Sequence, residues 1–302
     1  MSKIIPHLWF DKEALEAVDF YLSIFPSSKI EYKNTLHGVP SDSGNSDIVS
    51  FVLGGLQFMA INAGPVFKIN PSISFFVNFD PSQDNNAKVN LETMWNKLVE
   101  GGSALMPLSQ YPFSEKYGWV QDKYGVSWQL MLTNPGGESR PFIIPSLMYT
   151  QEMAGRAEEA LNFYTSVFKG GKIGTLARYG KGMDPNKENS LMFADFSILD
   201  TWLACMDSAG PHNFVFNEAV SLIIPCETQE EIDYYWDKMS ADPNAEQCGW
   251  LKDKFGVSWQ VWPALMGRIM STGTPEQIDR VTKAFLKMKK FNLKELQNAF
   301  QG

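Results

Sequence analysis

Residues 117–131 read YGWVQDKYGVSWQLM, and residues 248–262 read CGWLKDKFGVSWQVW. One chain therefore writes the same segment twice. Working outward from it, IIPHLWF at 4–10 is answered by IIPSLMY at 143–149, and VDFYLSIFPSSKI at 18–30 by LNFYTSVFKGGKI at 161–173. AGP at 63–65 returns at 209–211, and WNKL at 95–98 returns as WDKM at 236–239. The matches keep their order while their spacing drifts, which is the mark of a duplicated module whose loops have changed length. The Gly/Pro/polar cluster TNPGGESRP at 133–141 separates the copies. This divides the chain into a first module at 1–134, a second at 135–263, and a tail at 264–302 that occurs once.

Each copy has a legible local plan. Ala14, Leu15, Val18, Leu22 and Phe25 recur at helical spacing, as do Ala157, Ala160, Leu161, Tyr164 and Phe168, so both segments are predicted amphipathic helices. DIVSFVL, LQFMAIN and SISFFVNF are β-branched and aromatic runs bounded by Gly, Asn, Asp and Pro, as strands are. A second helix carries Leu91, Met94, Trp95 and Leu98 in one copy and Ile232, Tyr235, Trp236 and Met239 in the other. The repeated segment then forms a hairpin around Asp122–Gly125, and the outline of a copy is β-α-β-β-α-β-β. Alternation along it puts Val126, Trp128, Leu130 and Leu132 on one face and Ser127, Gln129 and Met131 on the other. In the tail, Thr274 with Gln277 and Asn292 with Glu295 have capping-box spacing, predicting two helices with an apolar stripe at Ile278, Val281, Phe285 and Met288.

The 302 residues include 26 basic and 34 acidic side chains, a net charge of −8, which argues against a nucleic-acid or anionic-membrane surface. No apolar run reaches the length of a membrane helix, and the N-terminal residues lack the pattern of a signal peptide. Cys205, Cys226 and Cys248 show no metal or disulfide spacing, and the default role of Cys205 and Cys248 is as small buried residues. The expectation is a cytoplasmic protein.

These residues resemble a known family. An opening strand, AVDFYLSIF, a helix with Trp-x-Lys-Leu and GWLKDKFGVSWQ at the end of the copy are similar to the PhnB-like, 3-demethylubiquinone-9 3-methyltransferase-like group of the vicinal oxygen chelate superfamily of glyoxalases, bleomycin-resistance proteins and dioxygenases. The resemblance implies an α+β fold of tandem βαβββ modules, with curled mixed or antiparallel sheets around a cup. It also implies metal ligands on first and last strands in the metal-dependent members. Carried over, those positions fall on His7, Gln129, Ser146 and Gln260.

One imidazole, two amides and a hydroxyl provide no anionic ligand, so a divalent metal at His7, Gln129 and Gln260 is disfavoured. The aromatics Trp9, Phe67, Trp119, Phe214, Phe216 and Trp250 are placed to rim an apolar small-molecule cup, whereas Trp95, Trp128, Trp236 and Trp259 suit the core. His37 and His212 fall in loop-like sequence. No glycine-rich strand-to-helix turn supports a nucleotide or S-adenosylmethionine site. The reading is a small-molecule-binding protein with unknown catalytic residues. Alternatives left open are a metal-dependent glyoxalase-like lyase, a methyltransferase-like activity suggested by the family label alone, and a homodimer in which the cup spans two chains.

Overall fold

The computed structural model describes residues 3–41, 44–134 and 136–302. Pro135 of the separating cluster lies outside them. The chain runs as four similar units. The first is β1 (Ile5–Phe10), α1 (Ala14–Ile24), β2 (Lys29–His37), β3 (Asn45–Leu53) and β4 (Leu56–Asn62). The second is β5 (Ile73–Phe79), α2 (Ala87–Val99), β6 (Ser103–Tyr111), β7 (Ser114–Gln121) and β8 (Ser127–Leu132). The third is β9 (Ile143–Thr150), α3 (Ala157–Val167), β10 (Lys172–Arg178), β11 (Leu191–Ile198) and β12 (Thr201–Ser208). The fourth, one strand shorter, is β13 (Val220–Cys226), α4 (Gln229–Met239), β14 (Trp250–Lys252) and β15 (Ser258–Pro263). Each sequence copy is therefore two units, with more strands than its outline. Strands β2 and β10 are among those the outline lacks, because they are largely exposed edge strands without a clean apolar alternation.

Pairing crosses between the copies. One mixed sheet has the order β14-β15-β13-β1-β4-β3-β2, and the other β10-β11-β12-β9-β5-β8-β7-β6. The seams are antiparallel, with His7 opposite Ser221 and Ser74 opposite Ser146. The outer units thus share one sheet and the inner units the other, and both cups close within a single chain. A continuous core holds α1 to α4 with the helix-bearing faces of both sheets; Phe58 of one sheet meets Phe75 of the other at 5.1 Å between ring centres.

The tail has three helices rather than the expected two: α5 (Ala264–Thr272), α6 (Pro275–Phe285) and α7 (Leu293–Gln301). The Thr274/Gln277 capping box forms in full, and the Asn292 side chain caps α7 through the Glu295 amide. The tail packs on its own chain. Ile278, Val281, Phe285 and Met288 join Leu36, Ile48, Met59 and Ile223 on the cup face of the seven-stranded sheet. No described helix is long and apolar enough to cross a membrane.

Candidate functional site

The repeated segment proves to be a structural anchor. Asp122 Oδ1 accepts the amides of Tyr124 (2.9 Å) and Val126 (3.0 Å), while Oδ2 accepts the Trp128 indole (2.8 Å) and the Tyr21 hydroxyl (2.9 Å). Asp253 repeats this with Phe255, Val257, Trp259 and Tyr164 at 2.8, 3.0, 2.8 and 2.7 Å. Each anchor ties a hairpin of one sheet to the helix that opens the same sequence copy, α1 or α3, whose unit belongs to the other sheet. Burial outweighs the four donors and holds both carboxyls above the usual aspartate range. With Trp128 and Trp259 fixed in the core, strand alternation turns Gln129 and Gln260 to the opposite, cup-facing side.

The first cup holds His7 and Gln260. His7 is almost fully buried, and its Nδ1 has no hydrogen-bond partner. Its ring stands edge-on to Trp250 at 5.5 Å, and burial lowers its pKa to about 3, so the imidazole is neutral. Trp9, two residues along the same face, meets Trp250 at 6.1 Å and Phe67 at 5.1 Å, its indole N–H anchored on the Gly64 carbonyl. Gln260 donates to Ser221 Oγ at 3.0 Å. A cavity of about 360 Å³ opens here, walled mainly by Trp9, Phe67, Trp250, Trp262, Ile48 and Phe285, with His7 and Gln260 among its polar groups.

Gln129 and Ser146 lie in the second cup. Gln129 accepts the Tyr117 hydroxyl at 2.5 Å and donates to Ser74 Oγ at 2.8 Å; the buried Ser146 hydroxyl has no partner. Trp119 sits opposite Gln129 and donates to Ser127 Oγ at 2.7 Å. A cavity of about 530 Å³ lies beside this floor, lined by Phe76, Met131, Ile144, Phe193 and Ala204 and edged by Arg140 and Lys172. Arg140 is committed to Asp195 (2.7 Å) and lies 3.9 Å above the Trp202 ring.

The four residues expected around one cup are thus divided between two, because copy halves exchange partners across the seams. His7, Trp9, Phe67, Trp250 and Gln260 come together; Gln129, Ser146 and Trp119 form a separate group. Phe214 lines neither cavity: its carbonyl accepts Thr150 Oγ1 and its ring packs on His212. Phe216 is a core residue against Tyr149, and Cys248, expected to be buried, is half-buried at the first cavity. His37 is exposed and His212 half-buried. Sequence reading missed Ser74, Ser221 and Tyr117, whose roles depend on cross-strand partners, and it left Phe285 as a plain stripe residue.

Neither cup fits a divalent metal. His7 is flanked in register by Met59 and Ser221, the Gln260 amide is engaged on Ser221, and the Glu218 carboxylate at that cavity is held by Lys252 at 2.8 Å. The floor of the second cup offers hydroxyls and an amide, and of its rim carboxylates Glu138 and Asp195 are both paired with Arg140. Among the described residues no group of three or more His, Cys, Asp or Glu converges to hold an ion. Nor does any strand-to-helix connection carry the spaced glycines of a nucleotide-binding turn.

A family model described as 3-demethylubiquinone-9 3-methyltransferase matches residues 2–131 and 141–262. Among solved structures, a PhnB protein from Bacillus cereus is 36% identical, over 44% of this chain and 100% of its own, with a TM-score of 0.39. A glyoxalase I variant from Zea mays is 11% identical, over 88% of this chain and 97% of its own, with a TM-score of 0.54. A "putative dioxygenase" from Bacillus subtilis is 11% identical, over 100% of this chain and 96% of its own, with a TM-score of 0.53. These last two share the fold. No match is found among curated proteins.

Proposed function

The chain belongs to the 3-demethylubiquinone-9 3-methyltransferase family, the PhnB-like branch of the vicinal oxygen chelate superfamily, and from that premise we propose that it binds a mostly apolar small molecule in the first cup. The observation that carries this reading is the cavity of about 360 Å³ in which Trp9, Phe67, Trp250 and Trp262 surround the neutral His7 and Gln260. That volume is within the range of small-molecule pockets, and apolar walls with a few fixed polar groups are their usual composition. The aromatic walls would exclude water from the ligand's apolar body. The uncharged imidazole and the amide of Gln260 would orient one polar group of the ligand by hydrogen bonds, without demanding that it be ionised.

A binding role is favoured over a metal-assisted lyase because the cavity has one imidazole and its one carboxylate, Glu218, is tied to Lys252 at 2.8 Å. The methyltransferase description rests on the family name alone, with no residues here that would seat a methyl donor. The experiment is native mass spectrometry of the purified protein with elemental analysis, before and after chelation and again for His7→Ala. The expected result is a co-purified small molecule, or uptake of an apolar probe that quenches tryptophan fluorescence, without a stoichiometric metal. A stoichiometric metal lost on His7→Ala would overturn the reading in favour of the lyase.

A further inference from the structure

The family match ends at residue 262, and the tail begins at once beyond it. The tail does not dock on a neutral surface: it lies on the cup face of the seven-stranded sheet, and Phe285 and Leu286 form part of the wall of the 360 Å³ cavity. Among the described residues, no such cover lies on the eight-stranded sheet. We infer that the tail sets the size of ligand the first cup admits, with Phe285 as the main size-determining residue; this deepens, and rests on, the binding role proposed for that cup.

The wall is held firmly. The carbonyls of Met288 and Lys289 accept the amides of Cys248 (2.8 Å) and Gly249 (2.7 Å), just ahead of the short strand β14, and the Leu286 carbonyl accepts Gln247 Nε2 at 3.0 Å. Cys248 takes a positive φ of 52° and Gly249 one of 83°, the conformations that present these two amides to the tail. A Cβ on Gly249 would stand 2.3 Å from the Phe291 ring, so the ring packs where only glycine allows it. On the far side, Gln229 Nε2 donates to the Phe291 carbonyl and its Oε1 accepts the Leu293 amide, at 3.1 and 2.7 Å. Lys290 pairs with Asp233 at 2.8 Å. With the 286–293 strap fixed at both ends, the buried Phe285 ring is a wall of fixed position, and its bulk subtracts directly from the space above Trp262 and Ile48.

The test uses the full chain and a series of straight-chain alkanols of increasing length, read by the fluorescence of Trp9, Trp250 and Trp262. Wild type should show a length beyond which affinity stops rising. Phe285→Ala and Leu286→Ala should each move that cut-off to longer alkanols, with roughly fourfold to tenfold tighter binding per methylene newly accommodated. Leu286→Phe should move it the other way. Phe76→Ala, in the other cup, should leave it in place. An unmoved cut-off in variants whose circular dichroism matches wild type would overturn the inference while leaving the binding role intact. Should Phe285→Ala not fold, the half-exposed Leu286 pair decides the matter alone. Absence of any alkanol binding to wild type would overturn the binding role itself, and the inference with it.

Discussion

Removing the Tyr21 hydroxyl tests why the repeated segment exists. Tyr21→Phe keeps the ring, which packs on Trp128 at 5.4 Å and on Phe25 at 6.4 Å, so no cavity opens. What is lost is one hydrogen bond, 2.9 Å, to a buried carboxyl that keeps its other three donors. A bond of that kind contributes about 1.5–3 kcal/mol. Asp122→Asn should cost more, about 2–4 kcal/mol, since its amide presents N–H to the Trp128 indole N–H and leaves that donor unpaired in the core. The twin anchor gives an internal check. Tyr164 also accepts the Tyr149 hydroxyl at 3.3 Å, so Tyr164→Phe strands a second buried group and should exceed Tyr21→Phe by about 1 kcal/mol. Urea unfolding followed by fluorescence and far-UV circular dichroism measures both, with the denaturant slope unchanged. A loss below about 0.5 kcal/mol for Tyr21→Phe, or a milder effect for Tyr164→Phe than for Tyr21→Phe, would refute the idea that these anchors join the sheets.

Three further outcomes are expected. His7 is neutral when folded, with a pKa of about 3 against 6.5 in the unfolded chain, so acid protonates the unfolded state first. Its contribution is complete above pH 6.5 and is lost as pH falls toward 3, at about 1.4 kcal/mol per unit; the stability difference between wild type and His7→Gln, measured against pH, should follow that slope and be flat above it. Gly249→Ala meets both a positive φ of 83° and the Phe291 ring, so it should cost more than about 2 kcal/mol and expose Lys287, Lys289 and Lys290 to faster tryptic cleavage. Arg140→Ala leaves the buried Asp195 without its cation and should cost about 2 kcal/mol in a thermal melt; Arg140→Lys should recover only part, lacking the planar stack on Trp202.

Local signals in the sequence were reliable where the physics is local. The helical stripe Ala157, Ala160, Leu161, Tyr164 and Phe168 buries as its spacing requires. In α1, Ala14, Val18 and Phe25 bury while Leu15 and Leu22 stay half-buried and Ala17 and Tyr21 complete the buried face. The Thr274 cap forms because its partners lie within four residues. Edge strands such as β2 and β10 were harder, since with little burial on either face they lack the period-two pattern that marks a strand. Helix α5 follows β15 without a loop and has no capping residue to announce it. In the candidate site, His7 and Gln260 could be named from resemblance and parity, while Ser221, Met59 and Phe285 enter only through pairing and docking.

By itself the sequence determined the duplication, the turn chemistry of the repeated segment, and which side of that segment's last strand faces the core, because side-chain alternation is built into the backbone and needs no knowledge of the neighbours. Only the tertiary structure decided which strands share a sheet, and so that His7 and Gln260 line one cavity while Gln129 bonds Ser74, which stands opposite Ser146. The physical reason is that every strand offers the same N–H and C=O groups along its edges; the seams β1 to β13 and β5 to β9 are selected by the packing of the whole core, not by any mark in the strands themselves. Asp122 shows the same division at one residue. In sequence it is a turn former, and the Tyr21 hydroxyl that makes it an inter-sheet anchor comes from 101 residues away.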